Sequence, residues 1–298
     1  MDEIKIRKLL EKTQCIVDPK NTSIEPFLSV EDGSEYEVWL IIENDKKHVL
    51  KKAKAHELEI YSCFFGNEIS GAPRFLEAIN DDGIDYFLME YVSGENICVC
   101  ERSKLIRALD ALISIQKAYW NNTSLSDKGY SFEKSLISRR DRSKYLKNVI
   151  LEKAYGAFLE EYQIIPRTLC HDDLLPFNVI VSNENACLID WEYGGILPYP
   201  VSLARLIAHG EEKEGALFYL KEEDRQFAID YYYDKLIKSK GIPYDAYRRT
   251  MDLFFLYEYC EWIMLGNKYE DGDAAMLEKY TKIAHRHIEE MNSRWNLK

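Results

Sequence analysis

Apolar positions along the chain follow two different periods. The opening segment MDEIKIRKLLEKTQ spaces Ile6, Leu9 and Leu10 at helical intervals and predicts a first helix over residues 2–14. The pattern then changes. Tyr36-Glu-Val-Trp-Leu-Ile-Ile-Glu43 is rich in β-branched and aromatic residues, Asn44-Asp45 reads as a turn, and His48-Val-Leu-Lys-Lys52 resumes a strand, so the segment predicts a hairpin. Residues 53–65 read as a helix. Ile84–Glu90 reads as another strand after the turn signal Asn80-Asp-Asp-Gly83.

Beyond Ser93-Gly94 the period is mostly helical, with Leu105, Leu109, Leu112, Ile113 and Ile115 clustering on one side of a helix expected over 105–120. One β island interrupts: Asn178–Val181 and Ala186–Asp190 flank Ser-Asn-Glu-Asn as a second hairpin. Residues 222–298 are helical in pattern again. No internal repeat, low-complexity run or long linker is visible. The expectation is an α+β, bilobal chain: a small β-rich lobe with one main helix over residues 1–92, and a larger, mostly helical lobe over 93–298.

Composition narrows this picture. With 46% hydrophobic residues among 298, the chain can bury a sizeable core. No apolar run of about 18 residues exists, so no membrane-spanning helix is expected. The charged amphipathic start does not read as a signal peptide. The seven cysteines lack paired metal spacing, and their odd count with the absent signal suggests free thiols in a reducing cytoplasm; Cys98 and Cys100 read as packing residues. A formal net charge of −12 argues against nucleic acid as partner. It suits a cationic ligand, although ordinary solubility accounts for it as well.

The segment with the sharpest chemistry is His171-Asp-Asp-Leu-Leu-Pro-Phe-Asn178, followed across the second hairpin by Asp190. Phosphoryl transfer from a magnesium nucleotide needs a carboxylate to orient or deprotonate the acceptor hydroxyl, and hard oxygen ligands for Mg2+. Asp173 suits the first task, and Asn178 and Asp190, at the two ends of a tight hairpin, suit the second. A His-Asp pair also occurs in metal-dependent hydrolases. Such a site needs further histidines, and those present (His48, His56, His209, His285, His287) show no suitable spacing; His285 and His287 would face different sides of a helix.

His171, Asp173 and Asn178 match the catalytic loop of protein kinases. The pair HDDLLPFN and LIDWE resembles the aminoglycoside phosphotransferase and choline kinase superfamily, whose pattern is approximately H-G-D-x-x-x-x-N followed by I-D-W-E. The resemblance implies a protein-kinase-like fold and ATP or GTP as phosphoryl donor. His171 then reads as a buried residue bracing the loop. Strand alternation puts Val49 and Lys51 on one face, for a base and for the α- and β-phosphates, while Lys52 points away. Glu57, four residues before Tyr61, is the expected partner of Lys51, with Glu59 as rival. Met89-Glu-Tyr-Val92 corresponds to a hinge in which backbone groups of Glu90 and Val92 meet the purine; Met89 is compatible with ATP. Glu31-Asp-Gly-Ser-Glu35 lies where kinases cover the phosphates, with Gly33 and Ser34 as donors, although it has a single glycine and is neither G-x-G-x-x-G nor a Walker motif.

Three positions depart from the family pattern. Asp172 stands at the usual glycine and is given no catalytic role; Asp is among the more tolerant residues for an unusual backbone angle. Ser202 stands where the family has an aspartate that braces the catalytic loop. Gln116 stands where the helix often ends in Leu-His.

For the acceptor, Glu258 and Glu261 lie three residues apart on one helical face, flanked by Tyr257 and Trp262, and Glu192 with Asp271 or Asp273 adds negative charge. Such a site suits a polycation such as an aminoglycoside, or a quaternary ammonium such as choline through cation–π attraction. The same residues also read as core aromatics with solvated carboxylates. The resemblance extends to kinases of macrolides, homoserine and methylthioribose. D-F-G and A-P-E are missing from their expected places, which argues against a protein kinase. The competing function is a non-catalytic nucleotide-binding protein. The expected partners are a nucleoside triphosphate and a small-molecule acceptor, with no nucleic acid, no membrane and no protein partner specified.

Overall fold

The structure is a computed structural model that describes residues 2–28, 33–66, 71–269 and 273–295. The N-terminal part is an antiparallel sheet of β1 (Ser23–Leu28), β2 (Glu35–Glu43), β3 (Lys46–Lys52), β4 (Phe75–Asp81) and β5 (Ile84–Glu90) in the order β1-β2-β3-β5-β4. Helix α1 (Glu3–Leu10) covers one face and α2 (Glu57–Phe64) the other. Asp2 caps α1 by accepting from the Lys5 N–H at 2.7 Å. Sequence patterning does not single out β1, which carries Pro26 on the edge of the sheet, where a missing N–H costs no ladder bond.

Alternation along β3 and β5 divides their side chains between two cores. Leu50, Tyr86 and Leu88 join Trp39, Ile41 and Ile79 under Ile6, Leu9 and Leu10 of α1. Val49, Phe87 and Met89 face the other way, onto Ile60, Tyr61 and Phe64 of α2. Lys51 shares the parity of Val49, so the period of two that buries Val49 also carries the ammonium to the cleft side. This inner core runs unbroken into the helical body: Phe65 packs edge-on to Trp191 at 4.8 Å.

After β6 (Glu95–Asn96) come α3 (Arg102–Ala118), α4 (Phe132–Ser143) and α5 (Val149–Ile164). β7 (Arg167–Cys170) pairs with β10 (Gly195–Pro198), and β8 (Val179–Val181) with β9 (Ala186–Leu188). Helices α6 (Pro200–Ala208), α7 (Glu222–Tyr232), α8 (Tyr244–Lys268) and α9 (Ala274–Trp295) complete the body. α8 is buried on nearly every side along its middle, including Asp252, Glu258 and Glu261. Among the described residues no helix is long and apolar enough to cross a membrane. The seven cysteines are free thiols, with Cys100 buried and Cys98 partly so.

Candidate active site

Lys51 Nζ lies 2.5 Å from Glu57 Oε1 and 2.6 Å from Asp190 Oδ1, tying the sheet, α2 and the catalytic hairpin together. The rival Glu59 points elsewhere, accepting from the Gly129 N–H at 2.9 Å and pairing with Lys128. Lys52 projects outward to Glu37. Burial pushes the Glu57 carboxyl up to about 7 against the opposing pull of Lys51. As pH falls through that value Glu57 gains a proton and Lys51 loses one of its two anionic partners. Nucleotide affinity is therefore expected to drop between about pH 8 and 6. Glu57→Gln should bind more weakly at every pH and lack that acid limb. A limb of unchanged size in Glu57→Gln would assign it to another group.

The loop expected to carry the chemistry leaves β7 at Cys170. His171 is buried: its N–H donates to Ser202 Oγ at 2.9 Å, its Nε2 donates to the Ile189 carbonyl at 2.7 Å, and its ring packs on Trp191 at 4.7 Å. Burial lowers its pKa, which keeps the imidazole neutral and suits a structural brace. The Ser202 hydroxyl thus holds the loop where the family pattern places a carboxylate. Gln116 is also fully buried, donating to the Tyr199 carbonyl at 3.1 Å and accepting from the Tyr232 hydroxyl.

Asn178 Nδ2 donates to the Asp173 carbonyl at 2.9 Å, and the Ile189 N–H donates to the Asn178 carbonyl at 2.9 Å, so the two ends of the hairpin are locked beside the loop. Asn178 Oδ1 accepts no hydrogen bond among the described residues. Burial disfavours the ionised Asp190, but Lys51 outweighs burial and holds its carboxyl below the usual range. An amide oxygen and an anionic carboxylate are the hard donors that magnesium prefers. Among the described residues no cluster of three His, Cys, Asp or Glu is placed to hold a metal, so phosphate oxygens and water would complete such a shell.

Asp173 is not solitary. Its Oδ1 accepts from Arg205 Nε at 3.1 Å and Nη2 at 2.8 Å. Arg205 Nη1 continues to Glu258 Oε2 at 3.0 Å, which His209 Nε2 meets at 3.1 Å. Val49 and Met89 are cross-strand partners and both buried. The Glu90 N–H is taken by the Arg74 carbonyl at 2.9 Å, and Val92 follows half-buried where the chain leaves the sheet. In the segment expected over the phosphates, Gly33 is left-handed at φ 71° with open space around it, and Ser34 is exposed. Glu31 and Asp32 lie outside the described residues.

The acceptor residues expected on α8 need correction. Glu258 is 2% exposed, neutralised by Arg205 and hydrogen-bonded by His209; Glu261 is buried against Arg142. Tyr257 is core, stacked on Phe158 at 4.7 Å. A buried carboxylate needs a partner, and here each partner is an arginine of this chain, so these groups offer no surface to a cation. Asp273 caps α9, accepting from the Ala275 N–H at 2.9 Å, and Asp271 lies outside the described residues. Trp262 is half-buried and stacked on Tyr280 at 5.7 Å, with His209 edge-on to both. Glu192 is half-buried next to the exposed Tyr193. Beyond His209 opens a groove of about 310 Å³ carrying both signs of charge, Glu211 and Glu222 against Lys213 and Lys279.

Sequence reasoning missed Arg205 and Arg139. Arg205 had a legible signal, a lone cation in the apolar run Pro200-Val-Ser-Leu-Ala-Arg-Leu-Ile-Ala208, one turn after Ser202. Arg139 did not, because Ser138-Arg-Arg-Asp-Arg142 reads as a solvated charge run.

A kinase-like sheet bearing a Lys–Glu pair, above a helical body with its catalytic loop and hairpin aspartate, defines the class of protein-kinase-like phosphotransferases. The sequence profile of the phosphotransferase enzyme family matches residues 29–236, and the chain belongs to that family. It is a small-molecule phosphotransferase of the aminoglycoside phosphotransferase and choline kinase type, with a hydroxyl group as acceptor. No sequence among curated proteins matches it. Similar solved structures include choline kinase from Cryptosporidium parvum Iowa II (13% identity, 98% of this chain and 97% of that chain, TM-score 0.66). An aminoglycoside phosphotransferase from Alicyclobacillus acidocaldarius subsp. acidocaldarius DSM 446 has 11% identity over 96% of this chain and 93% of that chain, TM-score 0.63. A choline/ethanolamine kinase family protein from Mesorhizobium loti has 16% identity over 97% and 95%, TM-score 0.61. At these identities the likeness is one of fold.

Proposed function

We propose that this chain transfers the γ-phosphoryl group of ATP to a hydroxyl of a small polar acceptor, with Asp173 as the base. The observation that carries this reading is the convergence of Lys51, Glu57 and Asp190 in one ion-paired cluster with Asn178 locked to Asp173. Lys51 meets the α- and β-phosphates, Val49 and Met89 line the base, and Glu90 and Val92 supply backbone groups to its edge. Gly33 and Ser34 lie over the phosphates. Asn178 Oδ1 and Asp190 would hold magnesium, which would neutralise phosphate charge. Arg205 occupies Asp173 Oδ1, so Oδ2 faces the acceptor. The acceptor proton passes to Oδ2 while its oxygen bonds the γ-phosphorus and the bond to the ADP oxygen breaks, giving ADP and a phosphate monoester.

An aminoglycoside-like cation is the first acceptor reading, supported by Glu192 at the cleft and by the −12 net charge. The α8 carboxylates no longer contribute to it. A choline-like acceptor is the second, supported by the Trp262–Tyr280 pair. The test is ADP or GDP release with magnesium and ATP or GTP over aminoglycosides, choline, macrolides, homoserine and methylthioribose. The expected result is ATP-dependent release stimulated by one class. Magnesium-dependent ATP binding with no transfer to any acceptor or to water would replace the kinase with a nucleotide-binding protein.

A further inference from the structure

We propose that Arg139 and Asp172 form a buried clamp that positions the carboxylate of Asp173; this rests on the kinase reading above. The Asp173 N–H donates back to the His171 carbonyl at 2.7 Å, closing a γ-turn whose middle residue, Asp172, is left-handed at φ 55°. A γ-turn of this hand is rare and strained. A non-glycine residue stays in such a conformation only where its surroundings over-determine it. Here the surroundings are Arg139 of α4, which is fully buried. Its Nη2 donates to Asp172 Oδ1 and its Nη1 to Ser135 Oγ.

The guanidinium carbon also lies over two rings, Tyr162 of α5 at 4.8 Å and Tyr257 of α8 at 4.7 Å. A planar guanidinium can meet aromatic faces and still donate in its plane. The Tyr155 hydroxyl donates to the Arg139 carbonyl at 3.2 Å, fixing the backbone beneath. Three helices therefore converge on one carboxylate next in sequence to the catalytic one. A further brace of the loop, Ser202 to the His171 N–H, is neutral. Charge-assisted bonds are roughly twice as strong as neutral ones; Arg205 supplies one at the Asp173 carboxylate itself, and Arg139 supplies the one that holds the turn at Asp172. Tyr257, buried against this guanidinium, has its role here rather than in the acceptor site.

The bland alternative is that Asp172 merely tolerates the left-handed angle. Asp172→Gly combined with Arg139→Met separates the two, because glycine adopts that angle without strain and the paired change leaves neither a buried carboxylate nor a buried guanidinium unpartnered. The full chain is compared as Asp172→Gly, Arg139→Met, the double variant and Asp173→Asn. Turnover is read as ADP release from magnesium ATP with the stimulating acceptor, or with water as acceptor where none stimulates. Magnesium-ATP affinity and amide hydrogen exchange over residues 171–175 are read alongside. Asp172→Gly and Arg139→Met are each expected to lower kcat about 10- to 100-fold, the scale of a misplacement of about 1 Å. Affinity stays unchanged, and exchange rises in the loop. The double variant falls no further than the weaker single, because both remove one interaction. Wild-type kcat in Asp172→Gly, or losses that multiply in the double variant, would overturn the clamp. Loss of affinity in parallel with kcat would reduce it to general stability and overturn it too. If Asp173→Asn retains full turnover, the kinase reading fails instead. Should either single variant fail to fold, the double variant, which leaves no unpaired buried charge, still decides.

Discussion

Asp173→Asn is expected to lower turnover by about 10²- to 10⁴-fold, the range typical of losing a general base. Magnesium-ATP affinity should hold, because Lys51, Glu57, Asn178 and Asp190 keep their mutual contacts. The fold should hold as well: Arg205 loses an anionic partner at Asp173 but keeps Glu258. Turnover by ADP release, with nucleotide binding by calorimetry, checks both halves. Unchanged turnover would remove Asp173 from the chemistry. Weakened binding with unchanged kcat would make it part of the nucleotide site.

Glu258→Leu is expected to cost about 3–5 kcal/mol of stability, because it removes the buried anion that Arg205 and His209 share in the centre of α8. For a chain of this size that is a fall in melting temperature of roughly 6–10 °C. It should also lower kcat, since Arg205 is then held only by the carboxylate it orients. The melting temperature distinguishes the two roles open to this residue. An acceptor ligand would show a raised KM for the acceptor at unchanged melting temperature. A core counter-ion shows the reverse, and the 2% exposure of Glu258 favours that outcome.

Both predictions turn on how much of the site could be read before the fold was known. Local pattern carried far. A period of two over residues 48–52 was enough to place Lys51 and Val49 on one face, and the segments HDDLLPFN and LIDWE, by their resemblance to the family pattern, were enough to name the reaction class. Other features were out of reach. β4 was not read from Phe75-Leu-Glu-Ala-Ile-Asn-Asp81, a run with little β-branched content that becomes a strand through pairing with β5. The helix expected over 53–65 begins only at Glu57. The family departures at Asp172 and Ser202 looked unrelated in the chain; in space they are the charged and the neutral brace of one loop.

The acceptor side shows the limit most clearly. Glu258 and Glu261 share one helical face, flanked by Tyr257, and spacing alone made that face a candidate for a cation. Which residues oppose a helical face depends on its neighbours. Arg205 comes from 53 residues away in sequence and Arg142 from 119, and together they consume both carboxylates. The order and type of the catalytic groups follow from the sequence itself, because those groups sit on one loop and one hairpin whose local geometry is short-range. Whether a charge is spent inside the protein or presented to a ligand was decided only by tertiary packing, because a buried ion pair is made between elements that the chain keeps far apart.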